Sequence, residues 1–171
     1  AGLSTLALRV PNHPLALDVL REVALPIAAP SANRSGKMSP TTAAHVRASL
    51  GGSVDLILDG GPCTVGVEST VVRFIEDGPY LLRSGGTSRE VLEAVLGRRV
   101  MNPTRYDTEL HSPGMLESHY APQAEMRLNA AAPESEEVFI GFGNYQHGPW
   151  TLSHTGNLQE AAANLFKVLY L

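Results

Sequence analysis

Three short apolar runs, TLALRV (5–10), LPIAA (25–29) and VDLILD (54–59), alternate with stretches whose apolar residues recur at helical spacing. That alternation constrains the fold more than any other feature. A strand–helix–strand rhythm buries one stripe of each helix against a sheet, so the chain reads as α/β. Pro11, Asn12 and Pro14 break the first run and open a helix expected to last through about Val23, with Leu15, Val19 and Leu20 on its apolar face. Ser39 as N-cap and Pro40 at the first helical position start a second helix, with Ala43, Val46 and Leu50 on one face and Gly51 and Gly52 as its stop. Beyond VDLILD lies the glycine-rich turn GGPCTVG (60–66). VESTVVRF (67–74) and PYLLR (79–83) then read as a strand pair joined at EDG. Thr87 and Glu90 form a capping box for a helix over 88–96, closed by Gly97.

From Met101 to Pro122 the periodicity stops. A connection of that length without structure of its own has a function. EMRLNA, EVFIGFG (137–143) and a helix over 157–170 then begin a second α/β unit, with the charged turn PESEE (133–137) between them. Leu158, Ala161, Ala162, Leu165, Phe166 and Leu169 make the apolar face of that helix. The organisation read from the sequence is therefore 1–100, a linker over 101–122, and 123–171. The first residues already lie in a strand-like run, and NLFKVLYL carries no capping signal. The expectation is a segment cut at both ends.

A net charge of −4 over 171 residues, with no charge run, excludes binding of nucleic acid by bulk electrostatics, though not a local basic site. The single Cys63 rules out an internal disulfide and fits a reducing compartment. No CxxC or HxxxH pattern points to a metal. The apolar runs are too short to span a bilayer.

APSANRSGKMSP (29–40) joins the second apolar run to the second helix. Ser31, Asn33, Ser35 and Ser39 supply hydroxyl and amide groups, Gly36 allows close backbone approach, and a helix N-terminus faces back at the loop. Such a stretch suits a phosphate, and equally suits a capped loop whose hydroxyls satisfy its own backbone. In GGPCTVGVESTVV, alternation turns Ser69 away from Glu68 and Thr70; a ligand loop and a tight turn both fit. Arg9 and Arg83 each end an apolar run beside a loop, as carboxylate or phosphate recognition requires and as a solvated strand end also allows. Cys63 has no nearby His to activate it and reads as an incidental thiol. SPGMLESHYAP (112–122) carries His119 and Tyr120 in a segment able to fold over a pocket or to anchor on the domain, whereas His13, His45, His111, His147 and His154 read as surface residues.

Taken together, APSANRSGKMSP, LILDGGPCTVGVESTVV, LLRSGG and SPGMLESHYAP resemble, in order and spacing, the two-domain L-threonylcarbamoyladenylate synthases, over most of 3–122 and more weakly over 124–170. The resemblance implies part of a twisted mixed-sheet YrdC-like domain followed by a partial Rossmann-like α/β domain. It implies a cytoplasmic nucleotidyltransferase that joins L-threonine, bicarbonate and ATP, with Mg2+, into threonylcarbamoyl-AMP and pyrophosphate. The product serves the threonylcarbamoyl transferase machinery that modifies tRNA.

By the same resemblance, Thr5, Ser31, Asn33, Ser39 and Arg83 contact ATP, as do His119 and Tyr120 in the closing linker. Arg9, the Ala29 backbone and Ser69 hold threonine. No residue is assigned to covalent or acid–base catalysis, and none to a metal. The family's Lys-x-Arg phosphate grip has no counterpart here, so the segment is expected to be inactive alone. Two alternatives remain: a YrdC-like module that binds double-stranded RNA without synthase activity, against which the acidic balance argues, and a carbamoyl-transfer relative of the hydrogenase-maturation type, whose zinc-finger modules are missing.

Overall fold

Pro14 has no N–H to lose and its ring presets the helical φ, so the first helix begins there: α1 spans Pro14–Val23. It ends where Ala24 turns left-handed, with φ 52°, and donates its N–H to the Leu20 carbonyl. The computed structural model describes residues 5–103, 122, 124–145 and 147–170. They divide into two compact units, Ala1–Ser31 and Ala32–Leu171.

In the first unit, α1 is the only regular element among the described residues. TLALRV and LPIAA form no ladder there, contrary to expectation; Leu6, Leu8, Val10, Leu25 and Ile27 are exposed. β-propensity needs a neighbouring strand to satisfy its N–H and C=O groups, and among the described residues none is paired with these runs.

In the second unit, α2 covers Ala43–Leu50 and runs into a 3-10 turn at Gly51–Ser53. Its cap is Thr42, whose hydroxyl accepts from the His45 N–H at 3.2 Å, so the helix starts three residues later than Ser39 and Pro40 suggest. Among the described residues VDLILD again has no strand partner. β1 (Val71–Ile75) and β2 (Gly78–Arg83) pair antiparallel, with Val72 opposite Leu81 and Arg73 opposite Tyr80, close to the expected hairpin. α3 (Arg89–Leu96) is capped by Ser88, one residue past the expected Thr87, and stops at Gly97 with φ 64° as expected.

Val100 is fully buried behind this hairpin. Its N–H donates to Glu93 Oε1 at 2.8 Å and its carbonyl accepts from Arg89 at 3.2 Å, while Met101 exchanges hydrogen bonds with Pro79 and Leu81. The segment that follows α3 is thus tied to α3 on one side and to β2 on the other.

Beyond the linker, β3 (Ile140–Gly141) and β4 (Trp150–Thr151) pair in parallel, and EMRLNA forms no strand. α4 (Leu158–Leu169) is capped by Asn157, whose side chain accepts from the N–H groups of Gln159 and Glu160. Ala161 and Phe166 on α4 are buried, whereas Leu158, expected on the apolar face, is exposed.

α4 passes directly behind Gly66. Gly66 has φ +74°, and a Cβ there would lie 2.6 Å from the Ala162 carbonyl oxygen and 2.6 Å from the Ala163 Cα. These are backbone atoms of α4, so no flexible side chain can yield. Gly66→Ala is therefore expected to lower unfolding free energy by about 2–4 kcal/mol. Urea denaturation of the complete protein that carries this chain measures it, and an unchanged midpoint contradicts the close packing.

Candidate functional site

The polar loop before α2 is braced from within. Asn33 Nδ2 donates to the Lys37 carbonyl at 2.8 Å and to the Arg34 carbonyl at 3.0 Å, and the Lys37 N–H closes a turn onto Arg34 at 3.0 Å. Gly36, with φ +76°, takes the left-handed corner of that turn. The Arg34 N–H reaches Ser49 Oγ at 3.2 Å and so ties the loop to α2. With both amide protons spent on carbonyls, Asn33 Oδ1 is buried and has no hydrogen-bond partner among the described residues. A buried acceptor in that state is costly unless a donor reaches it.

The glycine-rich turn lies alongside. The Gly61 N–H caps onto Asp59 Oδ1 at 2.9 Å, and the Cys63 N–H donates to the Thr41 carbonyl at 2.8 Å, fastening the turn to the end of the polar loop. Thr41 and Ser39, both buried, are held at this seam. Cys63 is exposed, and its partial desolvation raises the thiol above its ordinary pKa, which disfavours the thiolate a nucleophile needs.

Ser39 does not cap α2, as the sequence suggests. Its hydroxyl donates to Glu68 Oε1 at 2.5 Å. The other oxygen of Glu68 lies 3.7 Å from Arg83 Nη2. Arg83, at the end of β2, donates from Nε to the Ser69 carbonyl at 3.0 Å and from Nη2 to Ser69 Oγ at 3.1 Å. Gly85 and Gly86 let the following chain close onto this strand start. The Gly86 N–H donates to the Glu68 carbonyl at 3.1 Å, and a Cβ on Gly85 would stand 2.3 Å from that same oxygen. Thr70 Oγ1 donates to the Thr87 carbonyl and accepts from its N–H, completing the closure.

Of the residues singled out from the sequence, Ser39, Ser69 and Arg83 are thus brought together, and Asn33 sits in the same loop as Ser39. Thr5, Arg9, Ala29 and Ser31 belong to the first unit, where all four are exposed. His119 and Tyr120 lie outside the described residues. Glu68 is the member that sequence reasoning missed. It stands three residues before β1 as a lone acid in an uncharged stretch, and only the fold shows that it gathers Ser39 and Arg83. His45 also departs from expectation: it is half-buried and stacks on Tyr170, with ring centres 4.0 Å apart.

Chemically, the cluster offers a guanidinium, two hydroxyls and an unsatisfied amide oxygen. Guanidinium groups recognise phosphate or carboxylate. Among the described residues no group of three or more His, Cys, Asp or Glu is placed to hold a metal ion. The Ser39–Glu68 pair is open to a direct test. In a double-mutant cycle of Ser39→Ala and Glu68→Ala, a charge-assisted bond in a partly buried setting is expected to give a coupling of about 1 kcal/mol or more. Additive denaturation energies contradict the pairing.

The family model described as "Telomere recombination" matches residues 1–85, and that described as "Threonylcarbamoyl-AMP synthase, C-terminal domain" matches residues 87–171. A threonylcarbamoyl-AMP synthase of Bacillus subtilis is 48% identical over 155 residues, which are 86% of this chain and 43% of that protein. One of Pyrococcus abyssi is 39% identical over 189 residues, 98% of this chain and 55% of that protein. The chain spans about half the length of these curated relatives. The crystal structure of P. abyssi Sua5 complexed with L-threonine matches with a TM-score of 0.78 at 35% identity, over 99% of this chain and 55% of that one.

Proposed function

The chain belongs to the two-domain threonylcarbamoyl-AMP synthase family, and on that footing we propose that the protein carrying it makes threonylcarbamoyl-AMP and pyrophosphate from L-threonine, bicarbonate and ATP. The observation that carries the reading is the likeness, across 99% of the chain, to a relative crystallised with L-threonine. The threonine amine takes up bicarbonate, losing water, to become a carbamate. A carbamate oxygen attacks the α-phosphorus of ATP, and pyrophosphate leaves. The protein's part is to position reactants and to stabilise phosphoryl charge.

In this reading Arg9 holds the threonine carboxylate, with the Ala29 backbone and Ser69 completing that pocket. Thr5, Ser31, Asn33, Ser39 and Arg83 bind ATP, and His119 and Tyr120 close over it from the linker. The unpartnered Asn33 Oδ1 supports the assignment, because ATP offers donors in its ribose hydroxyls and adenine amine. Mg2+ enters as part of the nucleotide substrate, held by phosphate oxygens.

Residues 1–100 are the last part of the catalytic domain, 101–122 the linker and 123–171 the start of the second domain. The product feeds a transferase that modifies tRNA, which sets the site of action in the cytoplasm. Among the described residues no helix is long and apolar enough to cross a membrane.

The complete protein is expected to release pyrophosphate from ATP only when threonine and bicarbonate are both present. Ser31→Ala and Asn33→Ala raise the KM for ATP, and Arg9→Ala raises the KM for threonine, roughly tenfold or more for the lost charge-assisted contact. Release independent of threonine overturns the function. Unchanged kinetics in all three variants overturn the residue assignments.

A further inference from the structure

Tyr170, at the end of α4, reaches back across 132 positions of sequence to the polar loop, where its hydroxyl donates to the Met38 carbonyl at 2.8 Å. Its ring stacks on His45, with centres 4.0 Å apart and planes 16° from parallel. His45 Nδ1 in turn accepts from the Thr41 N–H at 3.3 Å. One side chain from the second family segment therefore grips both ends of the 38–45 stretch, which belongs to the first.

Ser39 directly follows the carbonyl that Tyr170 holds, and its hydroxyl is the one bound to Glu68. Fixing the Met38 carbonyl fixes the plane of the Met38–Ser39 peptide, and with it the direction in which Ser39 leaves the backbone. The contact is not incidental to a loose tail. α4 is backed against Gly66, where even a methyl group would meet the Ala162 and Ala163 backbone. Phe166, one turn before Tyr170, is buried, and its carbonyl accepts the Tyr170 N–H at 3.0 Å. The helix end is thus held firmly enough for its hydroxyl to hold something else.

We propose that Tyr170 is a positioning residue for nucleotide binding: from the C-terminal segment it holds the Met38–Ser39 peptide in the geometry the ATP loop requires. The proposal rests on the synthase reading for the loop's role. A purely structural aromatic would act through its ring, whereas this role needs the hydroxyl, so Tyr170→Phe separates the two.

The test uses the complete protein with two readouts. In Tyr170→Phe, hydrogen–deuterium exchange of the 37–42 amides is expected to rise while that of α4 stays put. The KM for ATP rises roughly threefold to tenfold, as one lost neutral hydrogen bond implies, with kcat at saturating ATP within about twofold. Tyr170→Ala exaggerates both. Unchanged exchange in the loop, or faster exchange with an unchanged KM, overturns the positioning role. So does a KM change equalled by loss of the folded protein in Tyr170→Phe. If the unsubstituted protein shows no ATP turnover at all, the synthase reading falls and this role falls with it. Normal turnover beside an indifferent Tyr170→Phe overturns this role alone.

Discussion

Glu68 is the point on which the described part of the site depends. A carboxylate has two oxygens, and here they face different segments: Oε1 takes the Ser39 hydroxyl from the polar loop, and Oε2 faces Arg83 from the end of β2. Ser39 and Glu68 lie 29 residues apart in sequence, so local propensity cannot bring them together. Without the carboxylate, Ser39 is a buried hydroxyl with one partner fewer, and Arg83 loses the acid that faces it while its bonds to Ser69 remain. The glycines nearby make the approach possible: any side chain at Gly85 would strike the backbone of Glu68, Ser69 and Thr70.

A second constraint acts from the far end of the chain. The contact of α4 with Gly66, and that of Tyr170 with Met38 and His45, put the C-terminal segment against the glycine-rich turn and against the polar loop that Glu68 also holds. Loop backbone unsupported by a ladder explores many conformations, and each such contact removes some of them. The polar loop is thus held from three directions: by Asn33 within, by Glu68 from the approach to β1, and by α4 from the second segment.

Helices were legible because their signals are local. Pro14, Gly97 and the periodic face of 158–169 fixed α1, the end of α3 and α4 to within a residue. Caps were read one to three residues early because Ser39 and Thr87 carry the right chemistry, while Thr42 and Ser88 have the extended backbone that a cap requires. The hairpin was legible from EDG. TLALRV, LPIAA and VDLILD were not, since a strand exists only with its partner and pairing is nonlocal. The α/β class was legible from the alternation of apolar runs with helical stretches, and the family from the four stretches quoted for it. The partners of those residues were not: nothing in VEST announces that its acid, rather than its hydroxyls, gathers Ser39 and Arg83, and nothing in VLYL announces that its tyrosine reaches Met38.

The central claim is that the loop around Asn33 and Ser39 and the strand ends around Glu68 and Arg83 form one nucleotide-binding surface. Hydrogen–deuterium exchange of the complete protein with and without MgATP tests it most directly. The account predicts that ATP slows exchange together in residues 32–42 and 67–86. ATP turnover with no protection in either segment, or protection confined to one of them, would contradict it.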